Sequence, residues 1–135
     1  GLRGVRLLRE FPDLLKRQLR SILRATGDGI SRVAVPFVID ADDIALVRNC
    51  AKSAREELRL EGFSVPHPVE VGVIVETPSS ALLGRELIQC SDFVMIDLDS
   101  LAESLIMCER TSSHPSVFDR TRETHPVLLR AVRKL

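Results

Sequence analysis

Two apolar runs in this 135-residue chain end in acids: Val71-Gly72-Val73-Ile74-Val75 runs into Glu76, and Phe93-Val94-Met95-Ile96 runs into Asp97, with Asp99 close behind. Such runs are the usual strands of a covered sheet, and in parallel sheets ligands gather at the carboxyl ends of the strands. Neighbouring parallel strands lie about 4.8 Å apart. If these two are neighbours, Glu76 and one of the aspartates are placed to share a hard cation such as magnesium, which takes oxygen ligands and keeps several waters. The same acids have plainer uses. Glu76 can be satisfied by backbone N–H groups of a helix starting near Pro78 to Ser80, and strand-end aspartates more often cap turns than bind metal.

Other reactive side chains are less suggestive. His67, His114 and His125 each precede a proline, and nothing around them marks a phosphate acceptor or a metal ligand, so each reads as structural. Cys50, Cys90 and Cys108 are widely spaced without a CxxC pair and read as small buried hydrophobes in a reducing compartment. Nineteen basic residues balance nineteen acidic ones, so no net field draws the chain to nucleic acid or an anionic membrane. With no Trp or Tyr and five scattered Phe, it lacks a stacking platform for single-stranded nucleic acid. No apolar stretch approaches the roughly twenty residues of a membrane span, and the Arg-rich start lacks the apolar block of a secretory signal. The expectation is a cytoplasmic chain with neither nucleic acid nor membrane as partner.

The elements that must position these side chains alternate in type. Leu15, Leu19, Ile22 and Leu23 share one helical face, with Arg17, Arg20 and Arg24 as a solvated stripe opposite, and Gly27 and Gly29 stop the helix. Arg32 to Ile39 is a β-branched strand in which Pro36 signals a sheet edge or a late bulge. Asp40 caps a helix carrying Ile44, Val47, Ala51, Ala54 and Leu58 at helical spacing as far as Gly62. The cycle repeats with a strand from Val69 to Glu76, a helix started by Thr77-Pro78-Ser79-Ser80, and a third strand from Asp92 to Leu98. Ser100 and Glu103 then stand at capping-box spacing, and the end reads as two short helices that each begin at a His-Pro pair. Strands alternating with helices in units of roughly thirty residues predict parallel βαβ units.

Taken in order, "GLRGVRLL", "RQLRSILRA", "VGVIVETPSSALL", "DFVMIDLDSL", "CER" and "HPVLLRAV" resemble the phosphoenolpyruvate-utilising barrel domain of enzyme I of the bacterial phosphotransferase system, pyruvate phosphate dikinase and phosphoenolpyruvate synthase. The resemblance covers essentially the whole chain but about half of a (β/α)8 barrel, which typically needs ~250 residues. It implies that Arg3, the first arginine of Gly1-Leu2-Arg3-Gly4-Val5-Arg6, holds the phosphate of phosphoenolpyruvate, and that Glu76 is a magnesium ligand. It also implies that Arg110, which ends the Glu109-Arg110 pair, binds substrate. Guanidinium forks suit phosphate and carboxylate because they supply bidentate, charge-assisted hydrogen bonds.

The chain also departs from the family pattern. Where the family reads G-T-N-D-L, this sequence has Asp97-Leu98-Asp99-Ser100-Leu101. The metal-binding aspartate is thereby Ser100, and the substrate-binding asparagine is Asp99, which as a carboxylate cannot donate to a phosphate. The chain stops before the family's strand with a proton-donating cysteine, a place that Cys50, Cys90 and Cys108 do not occupy, and starts after the family's upstream phosphate-binding arginine. Each implied site residue has a plainer reading too: Arg3 and Arg6 as solvated side chains at the start, Arg110 as a helix C-terminal cation, Ser100 as an N-cap.

The expected fold is α/β: three parallel βα units equivalent to part of a (β/α)8 (TIM) barrel, with extra helix at the C-terminus, in a single partial barrel domain over residues 1–135. Its open strand edges suggest a homo-oligomer. The expected function is that of a fragment or divergent relative of a phosphoenolpyruvate-dependent phosphotransferase, inactive alone. The full-length parent would move a phosphoryl group from phosphoenolpyruvate to a protein histidine, with magnesium as cofactor and a phosphocarrier protein as partner. Two alternatives stand beside it: a non-catalytic assembly or regulatory module that still binds a small anion, and a metal-dependent pyruvate-type aldolase or lyase.

Overall fold

The computed structural model describes residues 1–108, 114 and 124–135. In chain order the elements are α1 (Val5–Glu10), α2 (Pro12–Thr26), β1 (Arg32–Val35), α3 (Ala41–Leu60), β2 (Glu70–Val75), α4 (Pro78–Leu82), α5 (Gly84–Cys90), β3 (Val94–Ile96), α6 (Leu98–Ile106) and α7 (Pro126–Val132). The helix expected at His114-Pro115 lies outside the described residues, as does Arg110.

Periodicity accounts for the two long helices. Ile44, Val47, Ala51, Ala54 and Leu58 are all buried on one face of α3, and Leu15, Leu19 and Leu23 on one face of α2. The Asp40 side chain accepts a hydrogen bond from Asp43 N at 3.1 Å, as an N-cap should. The two helices lie against each other, and charge reinforces the seam. Arg20 donates to Glu57 at 3.3 Å and to Glu61 at 2.8 Å, and Lys16 pairs with Glu57. Arg24 lies over the Phe63 ring. The stripe expected to be merely solvated therefore ties α2 to α3 and to the loop beyond it.

The sheet is parallel, in the order β1-β2-β3. Val35, Val71, Val73 and Val75 point to one face and are buried in the helical core. Ala34, Gly72, Ile74 and Met95 occupy the other face, where Met95 is 51% exposed. The Phe93 ring lies so close over Gly72 that a methyl group there would overlap it. β1 stops at Val35, four residues short of the expected end. Pro36 has no N–H to give the ladder, and Phe37 turns away with φ of 59°. β3 is also shorter than expected, because Asp97 already caps α6.

Three further differences have local causes. The segment after Thr77 forms two short helices rather than one, with Leu83 as the joint. Gly84 opens the second and admits the Leu135 side chain where a β-carbon would sit. Cys90 is exposed at the end of α5 and Cys50 is half-buried, so neither is the fully buried hydrophobe that was expected. Among the described residues no helix is long and apolar enough to cross a membrane.

Two carboxylates brace the framework. Asp43, 1% exposed, accepts from Arg9 Nε at 2.6 Å and from Ile39 N at 2.9 Å, holding α1 and the loop between β1 and α3 to the start of α3. Asp92 accepts from Val71 N at 2.7 Å and from Arg48 at 2.9 Å, holding the entry to β3 against β2 and α3. The Val71 N–H, followed by Arg48, draws the Asp92 carboxyl below the usual carboxylate range, against desolvation.

Asp43→Ala strands the Ile39 N–H and leaves Arg9 to Asp40 and water, and is expected to cost about 1–3 kcal/mol in urea unfolding. A depressed folded-state pKa stabilises above the unfolded value, about 3.9, and that contribution is lost as pH falls through the folded value. Urea midpoints measured from pH 7 to pH 3 should therefore show the parent chain more stable than Asp92→Asn at neutral pH, with the gap closing below about pH 4.

Candidate functional site

Because the three strands are parallel, Pro36, Glu76 and Asp97, the residues that follow them, emerge on the same side of the sheet. What each does there follows from its neighbours. Asp97 N donates to Val75 O at 3.0 Å, so its backbone finishes the ladder with β2. Its side chain starts α6, accepting from Ser100 N at 3.0 Å and from Ser100 Oγ at 2.8 Å. The helix cap is therefore Asp97. Ser100, expected to be the cap, sits in the first turn as the group being capped. The sequence offers both as caps, and Asp97 prevails because the strand delivers it at the first position where the chain can turn.

After β2, at the helix start expected from the Thr77-Pro78-Ser79-Ser80 hydroxyls, Thr77 and Ser80 form a capping box. Ser80 Oγ also accepts from Glu76 N at 3.3 Å and Thr77 N at 3.1 Å. With its own helix start already satisfied by hydroxyls, the Glu76 side chain is free to reach across to β1. It is 8% exposed, and its Oε1 accepts from Phe37 N at 2.7 Å. The plainer reading of Glu76 thus holds in kind, a carboxylate satisfied by backbone N–H, but the donor belongs to the neighbouring strand's exit. Ser104 Oγ, from α6, donates to Glu76 O at 3.2 Å and closes the other side.

The N-terminal segment packs on the same turn. Val5 N donates to Pro36 O at 3.3 Å, and the Arg3 guanidinium lies over the Phe37 ring, 4.4 Å from its centroid. Gly4, at φ of 56°, makes this approach feasible: a β-carbon there would meet the Phe37 side chain at 2.6 Å. Arg3 is therefore seated by an aromatic face.

These groups border a cleft of about 540 Å³ lined by Arg3, Arg6, Phe37, Glu76, Ser100 and Glu103, with Cys108 and Met107 at the end of α6. Two cations and two acids face one space. Of the residues singled out from sequence, Arg3 and Glu76 meet here. Asp99 sits half-buried in the first turn of α6 and is not among the described residues lining the cleft. Phe37 was missed. An aromatic residue after a proline at a strand end gives no sign of a cation that reaches it from before α1.

The magnesium site implied by the resemblance calls for a second carboxylate at Ser100. That hydroxyl is spent on Asp97, and among the described residues no three His, Cys, Asp or Glu side chains converge to hold a metal ion. The donor set matches the family's at Glu76 and falls short at Ser100.

The match to the family described as "PEP-utilising enzyme, PEP-binding domain" (PEP, phosphoenolpyruvate) extends over residues 1–135. The chain is 32% identical over 132 residues to a multiphosphoryl transfer protein of Rhodobacter capsulatus, covering 98% of this chain and 15% of that protein. It is 31% identical to a phosphoenolpyruvate-protein phosphotransferase of Haemophilus influenzae, over 87% of this chain and 22% of that one. For the phosphotransferase of Priestia megaterium the figures are 29%, 98% and 23%. The chain thus spans less than a quarter of the length of these relatives. Among solved structures, a citrate lyase from Burkholderia xenovorans superposes with a TM-score of 0.64 at 20% identity, over 88% of this chain and 35% of that one, a likeness of fold. By the extent of the family match and the order of its motifs, the chain belongs to the PEP-utilising enzymes, within their PEP-binding domain.

Proposed function

We propose that the cleft binds phosphoenolpyruvate and that the chain serves, within a longer protein, the transfer of its phosphoryl group to a protein histidine. In that reaction the P–O bond of phosphoenolpyruvate breaks, a P–N bond forms on the histidine, and the enolate left behind takes up a proton. Charge on the phosphoryl oxygens must be met throughout, and guanidinium groups do so by charge-assisted hydrogen bonds. Arg3 is the residue for the phosphate, with Arg110 completing the substrate contacts; Asp99 stands at the position of the family's asparagine but outside the lining of the cleft. The observation that carries the reading is the meeting of Arg3, Arg6 and Glu76 in one cleft at the carboxyl ends of parallel strands, in a chain of this family. The names of the relatives, multiphosphoryl transfer protein and phosphoenolpyruvate-protein phosphotransferase, support it. The three strands, in this proposal, are consecutive strands of a (β/α)8 barrel over residues 1–135, with Ala34, Gly72, Ile74 and Met95 facing the barrel interior.

Glu76 is the position for magnesium in this reading, and Ser100 is the missing second ligand. The engagement of Ser100 by Asp97 favours a second reading, in which the chain binds the anion as an assembly or regulatory module without turning it over.

Calorimetric titration with phosphoenolpyruvate tests the binding that both readings require, and its magnesium dependence tests the missing second ligand. Binding is expected at millimolar ligand or below, and Arg3→Ala should weaken it about 10- to 100-fold, the worth of a charged hydrogen bond. No heat in the parent chain would sink the substrate assignment. Millimolar magnesium should change the parent's affinity little, whereas Ser100→Asp should make binding magnesium-dependent and Glu76→Gln in that background should abolish the dependence.

A further inference from the structure

Phe37 lines the cleft between Arg3 and Glu76, yet the family resemblance gives it no role. Its conformation is costly: φ of 59° is uncommon for a side chain with a β-carbon and rare for a bulky one. Such a conformation persists only where its surroundings fix it. Here they do so from three directions. Glu76 Oε1 accepts the Phe37 N–H at 2.7 Å, Pro36 O accepts the Val5 N–H at 3.3 Å, and the side chain fills the space left by the missing β-carbon of Gly4. The ring so placed lies under the Arg3 guanidinium at 4.4 Å.

We propose that Phe37 is a positioning residue for anion binding in this cleft: its ring seats the Arg3 guanidinium, and Glu76, through the Phe37 N–H, holds the ring in place. The proposal rests on the reading of the cleft as an anion site. Arg3 lies in an exposed N-terminal segment, where a free arginine would sample many rotamers and lose that freedom on meeting a phosphate. Stacking on an aromatic face removes much of that loss beforehand. It also leaves the N–H groups at the edge of the guanidinium plane open to a phosphate fork. A carboxylate close to the phosphate pocket would on charge alone weaken anion binding. Glu76 instead spends Oε1 on a backbone donor and contributes by fixing geometry.

The test is calorimetry of the 135-residue chain with inorganic phosphate and with phosphoenolpyruvate, alongside thermal unfolding. Phe37→Leu should lower affinity about 5- to 10-fold, Phe37→Tyr should restore it to within about twofold, and Phe37→Leu should have no further effect in an Arg3→Ala background. Equal affinity in folded Phe37→Leu, or an equal loss with and without Arg3, overturns the proposal. Should Phe37→Leu fail to fold, the Arg3 side-chain N–H resonance of the parent chain decides. A ring-current shift that moves on adding phosphate supports the stack as the seat of the anion, and an unshifted resonance overturns it. Failure of the parent chain to bind either ligand removes the anion site itself and the positioning role with it, a result visible before any variant is compared.

Discussion

The hydrogen bond from Phe37 N to Glu76 Oε1 is the constraint on which the cleft depends. It joins the exits of β1 and β2 just past the point where their ladder ends, and does so with an acid that would be costly to bury without a donor. Release of that contact would remove the one hydrogen bond that holds the Phe37 N–H, leaving the Val5–Pro36 bond and the packing on Gly4 to hold the turn. Arg3 and Gly4 pack on the ring, and α1 follows them directly, so the order of the N-terminal segment is inherited from an acid in the middle of the chain. A parallel sheet makes this economical. Its strands end side by side, and a single side chain can reach from one exit to the next.

The framework was legible where burial is periodic. Leu15, Leu19 and Leu23, and the five apolar positions of α3, are apolar because they face the core, and their spacing states the helix directly. β2 was legible for the related reason that no polar residue interrupts it from Val71 to Val75. The parallel arrangement followed from alternation alone. Boundaries were less so. Arg32 to Ile39 reads as one strand because apolarity continues past Pro36, but the ladder needs N–H donors and stops where proline withholds one.

The candidate site was legible at Glu76 from its place at the end of an apolar run, and at Arg3 and Ser100 through resemblance. What the residues do there depends on pairs distant in sequence: Phe37 with Arg3, Glu76 with Phe37, Asp43 with Arg9, Arg20 with Glu57. Each member has several chemically reasonable partners, and only the folded chain selects among them. Asp97 and Ser100 show the same point at short range. Both are good caps, and the choice was made by the strand's last hydrogen bond.

That choice also bears on how the cleft is walled. Asp97 is at once the final rung of the sheet and the first capping group of α6, so strand and helix meet with no slack residue between them. The wall bearing Ser100 and Glu103 is welded to the sheet and must move with it. The opposite wall, carrying Arg3 and Arg6, rests on the Pro36–Phe37 corner through a backbone bond and a ring face, and α1 behind it is tied to α3 by Arg9 and Asp43. Both walls are thus referred to the same end of the sheet, one at Asp97 and the other at Pro36 and Phe37, so the spacing between them is set by the strands themselves.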